Sequence, residues 1–181
     1  GGDEKYIAVS QFEESDARRA FPCLDHPLKK ATFDVEMIID ENLVAISNAP
    51  IADEESLGDG RKLVRFERTP KMSTYLLFLG VGEFEFVEDR GKVLVRAATM
   101  PGMTEYAKFG LEFGRKSLEF SEDYYGIKYP LPKLDLIAIA DFAAAWAEKP
   151  NPGNRDSELL TNISFPDFLL SISFNTPCEQ L

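Results

Sequence analysis

Histidine is almost missing from this chain: His26 is the only one among 181 residues. A hydrolytic zinc site needs about three protein ligands and an open position for water. The economical helical form, His-Glu-x-x-His, needs two imidazoles, and the sequence does not contain it. Cysteine is nearly as scarce. Cys23 and Cys178 lie far apart and form no Cys-x-x-Cys pair, so metal and dithiol redox motifs are unsupported, and a reducing compartment is the default. No apolar run approaches the ~20 residues of a membrane helix, and Gly1-Gly2-Asp3-Glu4-Lys5 has no signal-peptide architecture. The expected location is the cytoplasm, with no membrane partner. Excess positive charge is absent as well. A formal charge of −11 argues against nucleic acid, whose phosphates require a basic patch. The same charge weakly favours cationic ligands such as peptide amino termini.

What remains is a globular composition, 44% hydrophobic with 14 Phe and 6 Tyr, enough to bury a core. The first hundred residues read as strands. Tyr6 to Phe12 opens the series, and Ala31 to Ile39 alternates through Phe33, Val35 and Met37. Leu43–Ser47 and Lys62–Glu67 flank the acidic stretch from Asp53 to Gly60, which reads as a solvated hairpin tip around Leu57-Gly58-Asp59-Gly60. Met72 to Val81 is apolar almost throughout and reads as a strand buried on both faces. Glu83–Val87 and Lys92–Ala97 form a hairpin through Asp89-Arg90-Gly91. After Thr99-Met100-Pro101-Gly102 the spacing turns helical. Tyr106, Phe109, Phe113, Phe120 and Tyr124 fall near one face, widened by Leu111 and Leu118, and read as core. Gly126 is the expected cap, Tyr129–Pro132 is extended, and Leu134–Ala140 is a buried strand. The expected fold is α+β. A mainly antiparallel β domain covers residues 1–101, and a helix with a short αβ segment falls within residues 102–181.

The densest constraints lie between Gln11 and Pro27, where strand, charged turn and two proline reversals succeed one another. Such irregular backbone on a rigid scaffold commonly carries binding groups. The plainer alternative is a tight connection in which Arg18 and Arg19 pair with Asp16 and Asp25. His26, between Asp25 and Pro27, reads as a hydrogen-bonded structural residue and not as a ligand.

Gln11-Phe12-Glu13, Asp16-Ala17-Arg18-Arg19, Phe21-Pro22-Cys23, Asp25-His26-Pro27 and Lys30-Ala31-Thr32-Phe33 follow one another in an order that closely resembles the M1 family of zinc aminopeptidases. The resemblance continues through Ala45–Asn48, Met72–Leu76, Tyr129–Leu136 and Asp141-Phe142, covering roughly residues 3 to 144. It implies the second half of an N-terminal β saddle followed by the start of a thermolysin-like catalytic domain. It also implies an ancestral reaction, release of amino-terminal residues from peptides, that uses zinc in the full-length family. In this chain no catalytic residue, metal ligand or cofactor is expected.

The resemblance further implies substrate-binding roles for two carboxylates that hold a peptide's ammonium group. One belongs to the Gln-Phe-Glu word and falls on Glu13. The other belongs to the Gly-Ala-Met-Glu-Asn motif, which falls on Ala145-Trp146-Ala147-Glu148-Lys149, where only Glu148 is kept. Its plainer reading is an exposed loop charge. Pro150-Asn151-Pro152-Gly153 cannot form the strand the family places next. Similarity returns at Arg155–Leu160 and ends before Thr161. The expectation is a truncated or frame-disturbed homologue with a divergent tail from about residue 145. It would bind free peptide amino termini weakly. The alternative is a non-catalytic module that self-associates or completes a partner subunit, since half a saddle leaves an unpaired sheet edge.

Overall fold

The computed structural model describes residues 7–139. It is α+β, mainly antiparallel sheet with one long helix, and its contacts divide it after Phe84 into two units.

The first unit begins with β1 (Ile7–Val9), the single helical turn α1 (Ala17–Ala20), β2 (Glu36–Asp40) and β3 (Val44–Ser47). It continues through β4 (Ile51–Ser56), β5 (Arg61–Phe66), a 3₁₀ turn at Thr74–Leu76 and β6 (Leu79–Gly82). Two three-stranded antiparallel sheets result, ordered β1-β6-β3 and β2-β5-β4. The alternation from Phe33 sends Val35 and Ile39 into a core shared with Phe12, Ala45, Val64, Phe66, Met72 and Leu77. Three rings, Phe12, Phe21 and Phe33, meet edge to face at centroid spacings of 6.2 and 6.1 Å.

Two stretches depart from expectation. The acidic segment after Pro50 is a strand along most of its length: β4 pairs with β5 although every one of its residues is exposed. Its charges are accommodated across the ladder, where Arg65 meets Asp53 at 2.8 Å and Glu55 at 2.9 Å. Met72–Val81 is not one continuous strand. The 3₁₀ turn interrupts it, because Ser73 and Thr74 spend their hydroxyls on Pro27 O and Asp25 Oδ1 and so draw the backbone out of the ladder.

The second unit contains β7 (Glu85–Arg90), β8 (Leu94–Thr99), α2 (Thr104–Tyr125) and β9 (Lys133–Ile137). The expected hairpin and helix are present, and Gly126 caps the helix at φ 67°. β9 pairs parallel to β8, with α2 as the crossover that a parallel pair requires.

The helix buries a different face from the one its aromatics suggest. Phe109 is 66% exposed, Phe113 38% and Phe120 69%, and Tyr106 and Tyr124 are also exposed. Ala107, Gly110, Gly114 and Leu118 are buried instead. Small residues let the helix approach the sheet closely: a Cβ on Gly114 would come within 2.5 Å of Leu136 Cδ1. A larger residue there would hold the helix away. The aromatics stack on one another outside this contact, Phe109 on Phe113 at 6.3 Å and Phe120 on Tyr124 at 5.9 Å.

Candidate functional site

The Gln11–Pro27 segment is anchored in the core at two points and presents its polar groups between them. Phe12 and Ala17 are buried, whereas Gln11, Glu13, Glu14 and Ser15 are exposed. Glu13 therefore follows a fixed residue directly. The Gln11 side chain bends back, its Oε1 accepting the Glu13 backbone N–H at 2.6 Å. Glu13 sits on a turn whose backbone is tied on both sides: Asp16 N donates to Phe12 O, and Ser10 N donates to Leu79 O.

Asp25 holds the segment closed. Its backbone has φ 39°, the only positive φ at a non-glycine residue among the described ones, in a region that Asp tolerates better than most. Its side chain is buried, and both oxygens are used. Oδ2 accepts from Arg18 N at 3.0 Å and Arg18 Nε at 3.2 Å, while Oδ1 accepts from Thr74 Oγ1 at 2.7 Å. Arg18 also donates to Asp25 O at 3.1 Å. Burial pushes this carboxyl up, but the hydrogen bonds from Thr74 and Arg18 outweigh it and hold the group below the usual carboxylate range. One carboxylate thus joins the turn after Glu13 to the 3₁₀ turn that carries Tyr75.

The ion pairs of the plainer reading are both present. Arg18 meets Asp25, and Arg19 meets Asp16 at 3.6 Å. They do not exclude a binding role, because they lock the backbone around Glu13 and leave its exposed carboxylate outside the network. His26 accepts the Leu28 N–H on Nδ1 at 3.2 Å, a local turn bond. Neither it nor the half-buried Cys23 joins a cluster: among the described residues no group of three His, Cys, Asp or Glu side chains is arranged to hold a metal ion. The described residues do not supply the ligand set of a catalytic zinc.

Two side chains at this site escaped sequence reasoning. Asn48, one residue past the end of β3, braces the 3₁₀ turn, donating from Nδ2 to Leu76 O and accepting Phe78 N–H on Oδ1, both at 2.8 Å. Tyr75 lies on that braced turn. Burial raises its phenol, and the negative charge of Glu13 raises it further. The pattern Met72–Leu76 carried the family resemblance but gave no sign that its tyrosine shares an electrostatic environment with Glu13. Glu148, the other expected binding carboxylate, lies outside the described residues.

Comparison with known proteins agrees with the motif reading. A family model described as the Peptidase M1 N-terminal domain matches residues 1–76. The chain is 49% identical over 142 residues to a probable aminopeptidase 2 of Sulfurisphaera tokodaii, a match covering 78% of this chain and 18% of that protein. It is 45% identical over 149 residues to aminopeptidase M1 of Arabidopsis thaliana, covering 81% and 17%. A puromycin-sensitive aminopeptidase of Caenorhabditis elegans is 45% identical over 150 residues, covering 81% and 16%. The chain spans less than a fifth of the length of these curated relatives.

Proposed function

For a chain that belongs to the M1 aminopeptidase family, we infer a role in recognising the free amino terminus of a peptide, with Glu13 as the group that binds it. The observation that carries this reading is the placement of Glu13. It is an exposed carboxylate one residue past buried Phe12, on a turn that Asp25, Arg18 and the Gln11 side chain hold in place. An ammonium ion needs acceptors fixed before it arrives, since ordering them on binding would cost affinity. A carboxylate gives the strong, charge-assisted form of that hydrogen bond.

Peptide hydrolysis would need zinc and a base from elsewhere in a longer polypeptide, and no hydrolytic step is assigned to these residues. Under the same reading Glu148 would add a second carboxylate. A second reading, a non-catalytic module that associates with itself, draws support from the exposed aromatic face of α2.

Binding through Glu13 alone, without metal and with few side-chain pockets, is expected to be weak, roughly millimolar or about −4 kcal/mol. Titration with trialanine, followed by NMR, should shift resonances around Gln11–Glu14, and N-acetyl-trialanine should not. Glu13→Gln should remove the difference between the two peptides. Equal shifts from both peptides, or none near Glu13, would leave only the assembly reading.

Purified protein dialysed after zinc loading should retain well under one equivalent of metal, because a lone imidazole and two distant thiols offer no preformed tetrahedral set. A full equivalent surviving mild chelation would show that ligands come together in a way this reading lacks.

A further inference from the structure

We propose that Tyr75 is a positioning residue for Glu13: its hydroxyl donates a hydrogen bond to the Glu13 carboxylate and aims it at the peptide ammonium group. The inference rests on the reading of Glu13 given above and assigns it a specific partner.

The sheet register brings the two residues to one end of the first sheet. β1 runs antiparallel to β6, with Ile7 opposite Gly82 and Val9 opposite Gly80, and Ser10 N then donates to Leu79 O. The chain that leaves β1 towards Glu13 therefore departs where the chain from Tyr75 enters β6. Asp25 makes the juxtaposition rigid, with one carboxylate oxygen on Arg18 beyond Glu13 and the other on Thr74 beside Tyr75.

The turn bearing Tyr75 is fixed from three further sides, by Ser73 Oγ on Pro27 O at 2.6 Å and by the two carboxamide bonds of Asn48. Ser73, Thr74 and Leu77 point inward and are buried, whereas Tyr75 stays half-exposed. That bracing holds the half-exposed phenol in one place. Burial raises the Tyr75 phenol, and the negative charge of Glu13 raises it further, in keeping with this placement. The sign of the Glu13 effect is that of a neutral hydroxyl stabilised beside a carboxylate. A neutral phenol is also the right companion for a site that binds a cation: it orients the carboxylate without neutralising it, as Lys or Arg would.

Two measurements on the full chain test this. In the first, the ring carbon bearing the Tyr75 hydroxyl is labelled with ¹³C, assigned by difference against Tyr75→Phe, and titrated with base. Glu13→Gln should lower the midpoint of the Tyr75 transition while the other tyrosines are unmoved. An unchanged midpoint overturns the pairing. In the second, Tyr75→Phe should weaken trialanine about 3- to 10-fold and leave N-acetyl-trialanine unaffected. A purely structural role would move both peptides or neither, and either of those results overturns the proposal. If Glu13→Gln abolishes trialanine recognition and Tyr75→Phe does not change it, the Glu13 reading stands and this inference fails. If wild-type protein does not distinguish the peptides, both fall together.

Discussion

Replacing Asp135 with Asn should destabilise the second unit by about 3–5 kcal/mol, the range for removing one partner of a buried ion pair. Asn keeps the shape, so the loss is electrostatic. Asp135 lies on β9 and is nearly enclosed. Its Oδ1 accepts from Arg96 Nε at 2.6 Å and its Oδ2 from Arg96 Nη2 at 2.8 Å, and Lys133 Nζ donates to Oδ2 as well. Arg96 on β8 is opposite Asp135 in the parallel register and stacks over the Phe86 ring at 4.5 Å. Without the carboxylate, Arg96 and Lys133 lose their shared acceptor in a site with little water. Adding Lys133→Met to the Asn variant should recover part of the loss by removing one of those groups. Urea denaturation followed by circular dichroism measures each step. A midpoint for Asp135→Asn within experimental error of wild type would mean that the cluster is solvated.

The same cluster sets an acid limit on stability. Burial pushes the Asp135 carboxyl up, but the Arg96 hydrogen bonds and the charges of Lys133 and Arg96 outweigh it and hold the group below its ordinary value. A carboxyl with a depressed folded value contributes stability above its unfolded value, near about 3.9. That contribution is lost as pH falls through the folded value. Wild-type protein should therefore lose stability steeply below about pH 4, and the Asn variant should show a flatter acid limb. Lys133 acts at the other end. Burial lowers its ammonium more than Asp135 raises it, so stability gains as pH climbs from the folded Lys133 value towards about 10.4, the unfolded one.

None of this cluster is visible in the chain as written. Lys133 and Asp135 are two apart on one strand, which places both on one face, but Arg96 reaches them only through the parallel pairing of β8 with β9. Local features were easier to read. The α2 boundaries follow from Gly102 and Gly126, both at positive φ, and the β7–β8 hairpin follows from its charged, glycine-containing reversal, although Asp89 and Arg90 belong to β7 and the turn itself falls at residues 91–93. Arg115 on α2 secures that turn, donating to Asp89 Oδ2 at 3.0 Å and to Val93 O at 2.8 Å, a tertiary contact that no sequence window contains. β4 was hidden for the opposite reason. Its acidic composition argues for a loop, and only the basic residues of β5 across the ladder make it a strand.

The candidate site was legible as far as its words were. The position of Glu13 came from Gln11-Phe12-Glu13, and the pairing of Arg18 and Arg19 with Asp16 and Asp25 came from their charges, whereas which arginine meets which aspartate is set by the fold. The part played by Thr74, Tyr75 and Asn48 was not legible, because these residues lie 23 or more positions beyond Asp25 and reach the site only when β6 pairs with β1 and β3. Sequence spacing reports neighbours along one element; the bracing of a turn is set by strands that meet from far apart.

Leu118→Ala should cost about 2–5 kcal/mol, whereas Phe120→Ala, two residues away, should cost no more than about 0.5 kcal/mol. The contrast tests which face of α2 is buried. Leu118 is 2% exposed and packs with Val93, Val95 and Leu134, so truncation leaves a cavity that the sheet cannot close. Phe120 is exposed and touches Tyr124 along the helix, an i,i+4 contact of about 0.2–0.5 kcal/mol. Hydrophobic periodicity favours the aromatics because each carries more apolar area than Ala or Gly. Helix-to-sheet distance favours the small residues, and distance wins: Ala107, Gly110 and Gly114 bring the backbone close enough for Leu118 and the half-buried Leu111 to reach the sheet. Phe113, the least exposed of the three phenylalanines, should fall between the two extremes. Thermal unfolding of the three alanine variants under one buffer decides the order. If Phe120→Ala lowered the midpoint as far as Leu118→Ala, the aromatic stripe would be buried against something in solution, and the small-residue face would not be the principal contact of this helix.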